Sequence, residues 1–511
     1  MPDPDVLALH AGLAPGRTAV IEGDDRTTYA ELNDEVNRLA SGLLAVGIRS
    51  GDCAVWCGPN SREVVAFVHA SRKAGLVAVP VSYRFTPDEM RYLVENSEAA
   101  LVIVDAEYAP QLASAIEGLS GVRAAVVYRG THEGFVTWDE VVAKGSADEP
   151  ESAGEDAVGS SMIYTSGTTG KPKGARRTTS DRDTVLALLQ ELRYSLGDAE
   201  IHLTTGPLYH SGPLAFAVLA HSVGGTVVIM RSFDAATWVR LVREHRVTST
   251  FSAPTQLKRI VSLPDDVLAT ADLSSMRTLI ANAAPVPYAL KQEVISKLGD
   301  GFLFEVYGST ELGVDTVLAP EDQLRKPGSC GRPYGGIQIK VVDDDGNALP
   351  TGQPGELFVR SPLAIDGYFA TEERLSELGA EWKSVGDVAY VDDEGYVYIC
   401  DRKKDMVITG GMNVYPAEIE AVLHAHPDVM DVAVFGIPDD EWGERVHAVV
   451  QPRGGATIDL DALAAYAEKN LANYKRPRSW QVREQLPRTE SGKLLKRVLR
   501  DEHWAGRSSR V

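Results

Sequence analysis

Apolar residues recur at helical intervals soon after the chain begins. Thr28 and Glu31 have the spacing of a capping box, and Leu32, Val36, Leu39 and Leu43 follow on one face until Gly47 stops the pattern, which predicts an amphipathic helix. A short apolar run (54–57), a helical stretch (61–74), Gly75 and the run LVAVPV from Leu76 come next. The alternation of strand and helix continues through LVIVD (101–105), AAVVY (124–128), GTVVIM (225–230) and MRTLIANAA (276–284). Such alternation predicts βαβ units and parallel sheets, an α/β fold class. After about Gly328 the texture changes. GIQIKVVDDDGNALPTGQPGELFVR and AYVDDEGYVYICDR read as alternating strands joined by acidic and glycine turns, the chemistry of antiparallel hairpins.

The charged string DRKKD (401–405) interrupts this pattern, and a compact α+β stretch lies beyond it. Pro416 opens a helix, the strands VAVFGI and RVHAVVQP follow, and a second helix starts near Asp459. The expected division is an N-terminal domain over 1–403, with a β subdomain at about 328–400, and a C-terminal domain over 404–511. The latter has about 100 residues, an ordinary domain size.

Length agrees with this division, since 511 residues exceed one compact core. A 44% hydrophobic, 24% charged composition is that of an ordinary globular protein rather than a disordered or fibrous one. With 51 Lys and Arg against 72 Asp and Glu, the net charge of -21 repels a phosphate backbone, so nucleic acid is not an expected partner. Any phosphate ligand must be held by a local arrangement of amides, Lys, Arg and metal. Cys53, Cys57, Cys330 and Cys400 are too few and too scattered for a disulfide framework, and Cys53 and Cys57 lack a second ligand pair at zinc spacing. They read as buried or incidental thiols in a reducing compartment. The acidic start MPDPDVLALHAG is unlike a signal peptide and no apolar run reaches roughly 18 residues, so the expectation is a cytoplasmic protein with no integral membrane segment. Nothing in the chain specifies an oligomeric state.

One segment needs a chemical explanation. In SSMIYTSGTTGKPKG (160–174) an apolar strand runs into a loop of small hydroxyl residues, glycines and two lysines. Glycines let backbone amides turn inward, hydroxyls add donors, and Lys171 and Lys173 add charge, so the loop can wrap polyphosphate oxygens. A flexible polar surface loop would explain any single Gly or Thr here, but not the whole string. A Walker-type NTPase is disfavoured, because no helix-opening Gly-Lys-Ser/Thr is present.

Residues 164–174 resemble the signature of the adenylate-forming superfamily: acyl-CoA synthetases, peptide-synthetase adenylation domains and luciferases. PLYHSGP (207–213), VYGSTE (306–311), GDVAYVDDEGYVYICDRKKDMVITGGMNVYPAEIE (386–420) and PRTESGKLLK (487–496) fall in that family's order, so the resemblance covers nearly the full chain. It implies a large N-terminal AMP-binding domain of stacked βαβ sheets with a β-barrel-like subdomain, and a small mobile α+β lid. It implies ATP, Mg2+ and coenzyme A as cofactors. Thr165, Ser166, Gly167, Thr168, Thr169, Gly170, Lys171 and Lys173 would hold the β- and γ-phosphates. Tyr307, between Val306 and Gly308, would stack on adenine, with Ala283, Ala284 and Pro285 on the other side. Glu305 stands where many members have Asn or Asp at the adenine edge. Glu311, after Thr310, would be the magnesium ligand, a hard oxygen donor suited to an ion that also bridges phosphates. Asp387 would accept the ribose hydroxyls and Arg402 lie beside ribose and phosphate. Singly, such a Tyr, Glu or Asp reads as structural; the ordered set is what points to a site.

Attack of a carboxylate on the α-phosphate builds negative charge on the non-bridging oxygens, so fixed positive donors are needed rather than a general base. Lys493 resembles the lysine bridging the acid and the α-phosphate, although an exposed surface lysine is the commoner fate. A thiol must then reach the same carbonyl. Family members rotate the small domain, and Lys404 falls at the pattern's hinge. Gly410 and Gly411 would then let a pantetheine arm pass close to the backbone; without the resemblance they read as a tight turn. His210 stands where amino-acid-activating members carry Asp, which suits an acid without an ammonium, such as a fatty, aryl or polycyclic acid whose access it gates. The apolar segments PLAFAVLAHSVGG and SAPTQLKRIV agree with a hydrophobic small-molecule carboxylic acid. The acceptor is CoA, or a stand-alone carrier protein or other nucleophile in a biosynthetic pathway. A catalytically dead binding homologue is disfavoured by the intact Thr169, Glu311, Asp387 and Lys493.

Overall fold

The computed structural model describes residues 5–150, 160–165, 171–177, 181–365, 367–372, 374–454, 458–488 and 494–504. The helix expected after Thr28 spans Tyr29–Ala45. Both halves of its capping box form, Thr28 accepting from the Glu31 amide and Glu31 reaching back to the Thr28 amide, and Gly47 leaves the helix at a φ of 95°. Its apolar stripe, Leu32, Val36, Leu39 and Leu43, is fully buried.

Two eight-stranded sheets dominate. The first runs in the order Gly313–Leu318, Leu303–Ser309, Thr278–Ala281, Ser249–Ser252, Ile201–Thr204, Thr226–Ile229, Thr18–Glu22 and Asp25–Thr28. The second runs Gly367–Tyr368, Lys173–Arg177, Ser160–Thr165, Val77–Val81, Cys53–Cys57, Leu101–Asp105, Ala124–Tyr128 and Val136–Thr137. Inner strands pair parallel, as the alternation predicts, and Val77–Val81 and Leu101–Asp105 are buried at every position, as strands covered on both faces must be. One apolar core joins Val20, Val227 and Ile229 of the first sheet to Ala54, Trp56 and Ile103 of the second, with helices Tyr29–Ala45 and Arg62–Lys73 contributing to it.

The expected hairpins form a third, antiparallel sheet of six strands that branches at Gly355–Arg360, which pairs with Gln338–Val342, Trp382–Ser384 and Asp387–Val391. Its turns close on aspartates: Asp343 accepts from the amides of Asp345 and Asn347, and Asp392 from those of Glu394 and Tyr396. A small five-stranded sheet (Met412–Val414, Val407–Thr409, Gly443–Pro452, Val429–Asp439 and Ser479–Val482) packs with helices Pro416–His424 and Leu460–Asn470 around its own core of Val407, Ile419, Leu423, Val434 and Leu463. The fold is thus a large N-terminal α/β assembly of sheets and a small C-terminal α+β domain. All four cysteines are free thiols. Among the described residues no helix is long and apolar enough to cross a membrane.

Candidate active site

The antiparallel edges of the two large sheets meet at Glu311. Strands Ser160–Thr165 and Lys173–Arg177 pair with Thr165 opposite Lys173, at the base of the glycine-rich loop. Tyr368 joins this edge opposite Ala175. The Thr165 and Tyr368 hydroxyls both donate to Glu311 Oε1, each at 3.0 Å. Burial and the neighbouring carboxylate push the Tyr368 phenol up, so it stays a donor. Lys173 lies 5.6 Å over the Tyr368 ring and Lys171 5.1 Å over that of Tyr92. Burial pulls the Lys173 ammonium below its usual range. Ser166, Gly167, Thr168, Thr169, Gly170 and Lys493 lie outside the described residues.

Glu311 is buried, and among the described residues no cluster of three or more His, Cys, Asp and Glu surrounds a common point. Among the described residues no protein-built metal cage is therefore present there. A single carboxylate with hydroxyls beside it does fit Mg2+, which takes one or two carboxylates and completes its shell from substrate phosphates and water.

Tyr307 lies on Leu303–Ser309 and Asp387 begins Asp387–Val391 in the branched sheet. The Tyr307 hydroxyl donates to Asp387 Oδ2 at 2.5 Å, while Arg402, the cross-strand partner of Asp387, sets its Nε 3.3 Å from Oδ1. Burial, then Asp387, pushes the Tyr307 phenol far up. On the wall of the same cleft, Ala283 holds a left-handed φ of 76°, unusual for a residue with a side chain, and is followed by Ala284 and Pro285. The Glu305 carboxylate forms a buried ion pair with Lys291, so that side chain is already committed. Val306, Gly308 and Thr310 line the same cleft.

His210 stands just ahead of helix Ser211–Ser222, its ring 4.6 Å from that of Tyr209. Its Nε2 is buried with no hydrogen-bond partner among the described residues, and burial pulls its pKa down to about 4, leaving the imidazole neutral. Phe216 and Phe251, stacked at 5.7 Å, and Leu219 extend an apolar wall from it. Ser211 and Thr310 hydroxyls meet at 3.0 Å, linking this end to the Glu311 segment.

The string 401–405 ties to both sides. Lys403 pairs with Asp344 and Glu356 of the third sheet, whereas Asp401 accepts from the Ala417 amide and Asp405 pairs with Arg500. Burial pulls the Lys404 ammonium down. Gly410 and Gly411 form a two-residue turn between Val407–Thr409 and Met412–Val414 with φ values of 56° and 76°, the pair of positive angles such hairpins demand.

Three residues beside the site are not among those the sequence pointed to: Tyr368, Lys291 and Arg177. Arg177, which donates to the Thr310 carbonyl at 2.9 Å, had a signal, because on an alternating strand it shares the face of Lys173.

Residues 7–369 match the family described as AMP-binding enzyme, and 418–493 its C-terminal domain. The chain is similar to a feruloyl-CoA synthase of an Amycolatopsis species, 36% identical over 497 residues covering 96% of each chain. It is similar to an indoleacetate–CoA ligase of Aromatoleum aromaticum, 34% identical over 494 residues and 95% of each. It also superposes on the structure of ATP-bound MatB from Rhodopseudomonas palustris with a TM-score of 0.87 at 30% identity, covering 98% of this chain and 99% of that one. The chain belongs to the AMP-binding enzyme family. Within that family it is an AMP-forming acid–thiol ligase.

Proposed function

We propose that the chain is an ATP-dependent carboxylic acid:CoA ligase that adenylates a hydrophobic aryl or fatty acid, releasing pyrophosphate, and then passes the acyl group to coenzyme A. The observation that carries this reading is the meeting of the glycine-rich strand edge with Glu311 at one point of a cleft, with Tyr307, Asp387 and Arg402 at another. Thr165, Lys171 and Lys173, with the loop between them, take the β- and γ-phosphates; Tyr307 and Ala283 to Pro285 enclose the base; Asp387 takes the ribose hydroxyls. Magnesium on Glu311 supplies charge that offsets the phosphate oxygens. The acid lies against the His210, Phe216 and Phe251 wall. A neutral imidazole and apolar rings favour an uncharged acyl group, and the acids in the names of the feruloyl and indoleacetate relatives agree with an aryl one. Glu305 shapes the base pocket through Lys291.

The acid is already ionised, so its attack on the α-phosphate needs no base; Lys493 bridges the two and stabilises the charge that develops. The domains divide within 401–405. Rotation of the small domain about Lys404 withdraws Lys493 and presents Gly410 and Gly411, so that the thiol arm reaches the acyl adenylate. Free CoA is the acceptor, in keeping with the CoA ligases among its relatives.

Pyrophosphate exchange and thioester formation, assayed separately, test this reading. Lys493→Ala is expected to lose acid-dependent exchange and to keep thioester formation from a supplied acyl adenylate. Loss of both steps would contradict the division of labour between the two domain positions.

A further inference from the structure

The backbone around Glu311 is tied at several points. Ile365 N donates to the Glu311 carbonyl at 2.8 Å, Ser361 Oγ to that of Leu312 at 2.9 Å, and Leu312 N to Ser309 Oγ at 3.0 Å. These ties are neutral. The Thr310 carbonyl is different, because it accepts from the Arg177 guanidinium at 2.9 Å, a charge-assisted bond from a part-buried residue that lines the cleft. The same cation feels both Glu311 and Asp315, and a Cβ added at Gly313 would come within 3.4 Å of its Nη1. It therefore lies over the segment that carries Glu311.

Asp315 is the other acidic neighbour whose charge this arginine feels. It is fully buried, and neither carboxylate oxygen has a hydrogen-bond partner among the described residues. A polar group in that state is costly to ionise, and burial, then Asp387, pushes the Asp315 carboxyl well above the usual carboxylate range, with Arg177 the cation that opposes this. The guanidinium thus feels the Asp315 carboxyl and the Glu311 carboxylate, with the Thr310 carbonyl fixing its direction.

We propose that Arg177 is a positioning residue for magnesium-bound nucleotide: by holding the Thr310 carbonyl it fixes where the Glu311 carboxylate points. This rests on the proposed role of Glu311. It assigns to Arg177 no contact with adenine or ribose, so the effect of its loss is confined to ligands that need the metal and the polyphosphate.

The test is calorimetric binding of Mg·ATP and, separately, of AMP, in the absence of any acid so that no turnover occurs. Arg177→Met, Arg177→Lys and the double variant Arg177→Met/Asp315→Asn are compared with the unsubstituted chain; the double variant also removes the buried acid that Arg177→Met alone would leave without its opposing cation. In Arg177→Met and in the double variant, Mg·ATP is expected to bind about tenfold more weakly (~1.4 kcal/mol) and AMP within about twofold of normal, with Arg177→Lys intermediate. Equal weakening of both ligands, or recovery of Mg·ATP binding in the double variant, would overturn the proposal, since either means that Arg177 only keeps the fold together. An unsubstituted chain that binds neither ligand would remove the reading of Glu311, and the proposal with it.

Discussion

At the nucleotide end of the cleft three acidic side chains are already held: Asp387 by Tyr307 and Arg402, Glu311 by Thr165 and Tyr368, Glu305 by Lys291. At the acid end His210 keeps a buried ring nitrogen without a partner among the described residues and is flanked by aromatic and aliphatic side chains. The difference follows from what each end must bind. Ribose and polyphosphate offer many polar atoms at fixed spacing, and a preset network meets them with little reorganisation. An acyl group offers mostly apolar surface, so its site is shaped by packing, and polar contacts there are few.

Breaking the preset end has the largest expected effect. Asp387→Ala strips the carboxylate from a site where it is buried and leaves Tyr307 and Arg402 facing each other; acid-dependent pyrophosphate exchange is expected to fall about 100-fold (~2.7 kcal/mol). A fall well short of that would mean the network is not what recognises nucleotide. Tyr307→Phe keeps the ring and loses one strong hydrogen bond, so the KM for ATP should rise about tenfold, with kcat changed less. An unchanged KM would reduce Tyr307 to a stacking surface.

The acid end responds to pH instead. The folded His210 titrates at about 4 against a usual 6.5, so below 6.5 the unfolded chain takes up a proton that the folded chain refuses. Its contribution to stability is intact above 6.5 and is lost as pH falls towards 4. Folded His221 and His447 also titrate at about 4, with burial the leading cause, so acid denaturation should begin in the same window. Melting curves of His210→Phe should show a shallower loss between those pH values, by roughly 1 kcal/mol per pH unit. The smallest expected effect is on nucleotide: the same variant should keep the KM for ATP within about twofold while the KM for the acid moves. A nucleotide KM that moves as far would show that the two ends are not independent.

Much of this fold was legible in periodicity and caps. The Thr28 capping box, the parallel strands at 77–81 and 101–105, and the aspartate-closed hairpins of the third sheet are local patterns, and they formed where the chain spelled them. The tight turn at Gly410 and Gly411 was legible for the same reason. The wiring of the site was not. Tyr368 reaches Glu311 across 57 residues, Lys291 reaches Glu305 from another element, and Tyr307 meets Asp387 across 80 residues. Such pairs are set by how the sheet edges come together, which no local pattern encodes.

The most direct test of the central claim is mass spectrometry of the products formed from ATP, magnesium, CoA and a panel of aryl, fatty and polycyclic acids. The expected result is an acyl-CoA accompanied by AMP and pyrophosphate with at least one hydrophobic acid. AMP and acyl adenylate without thioester would contradict CoA as the acceptor and point to a carrier protein, and an absence of ATP turnover with every acid would contradict the ligase reading itself.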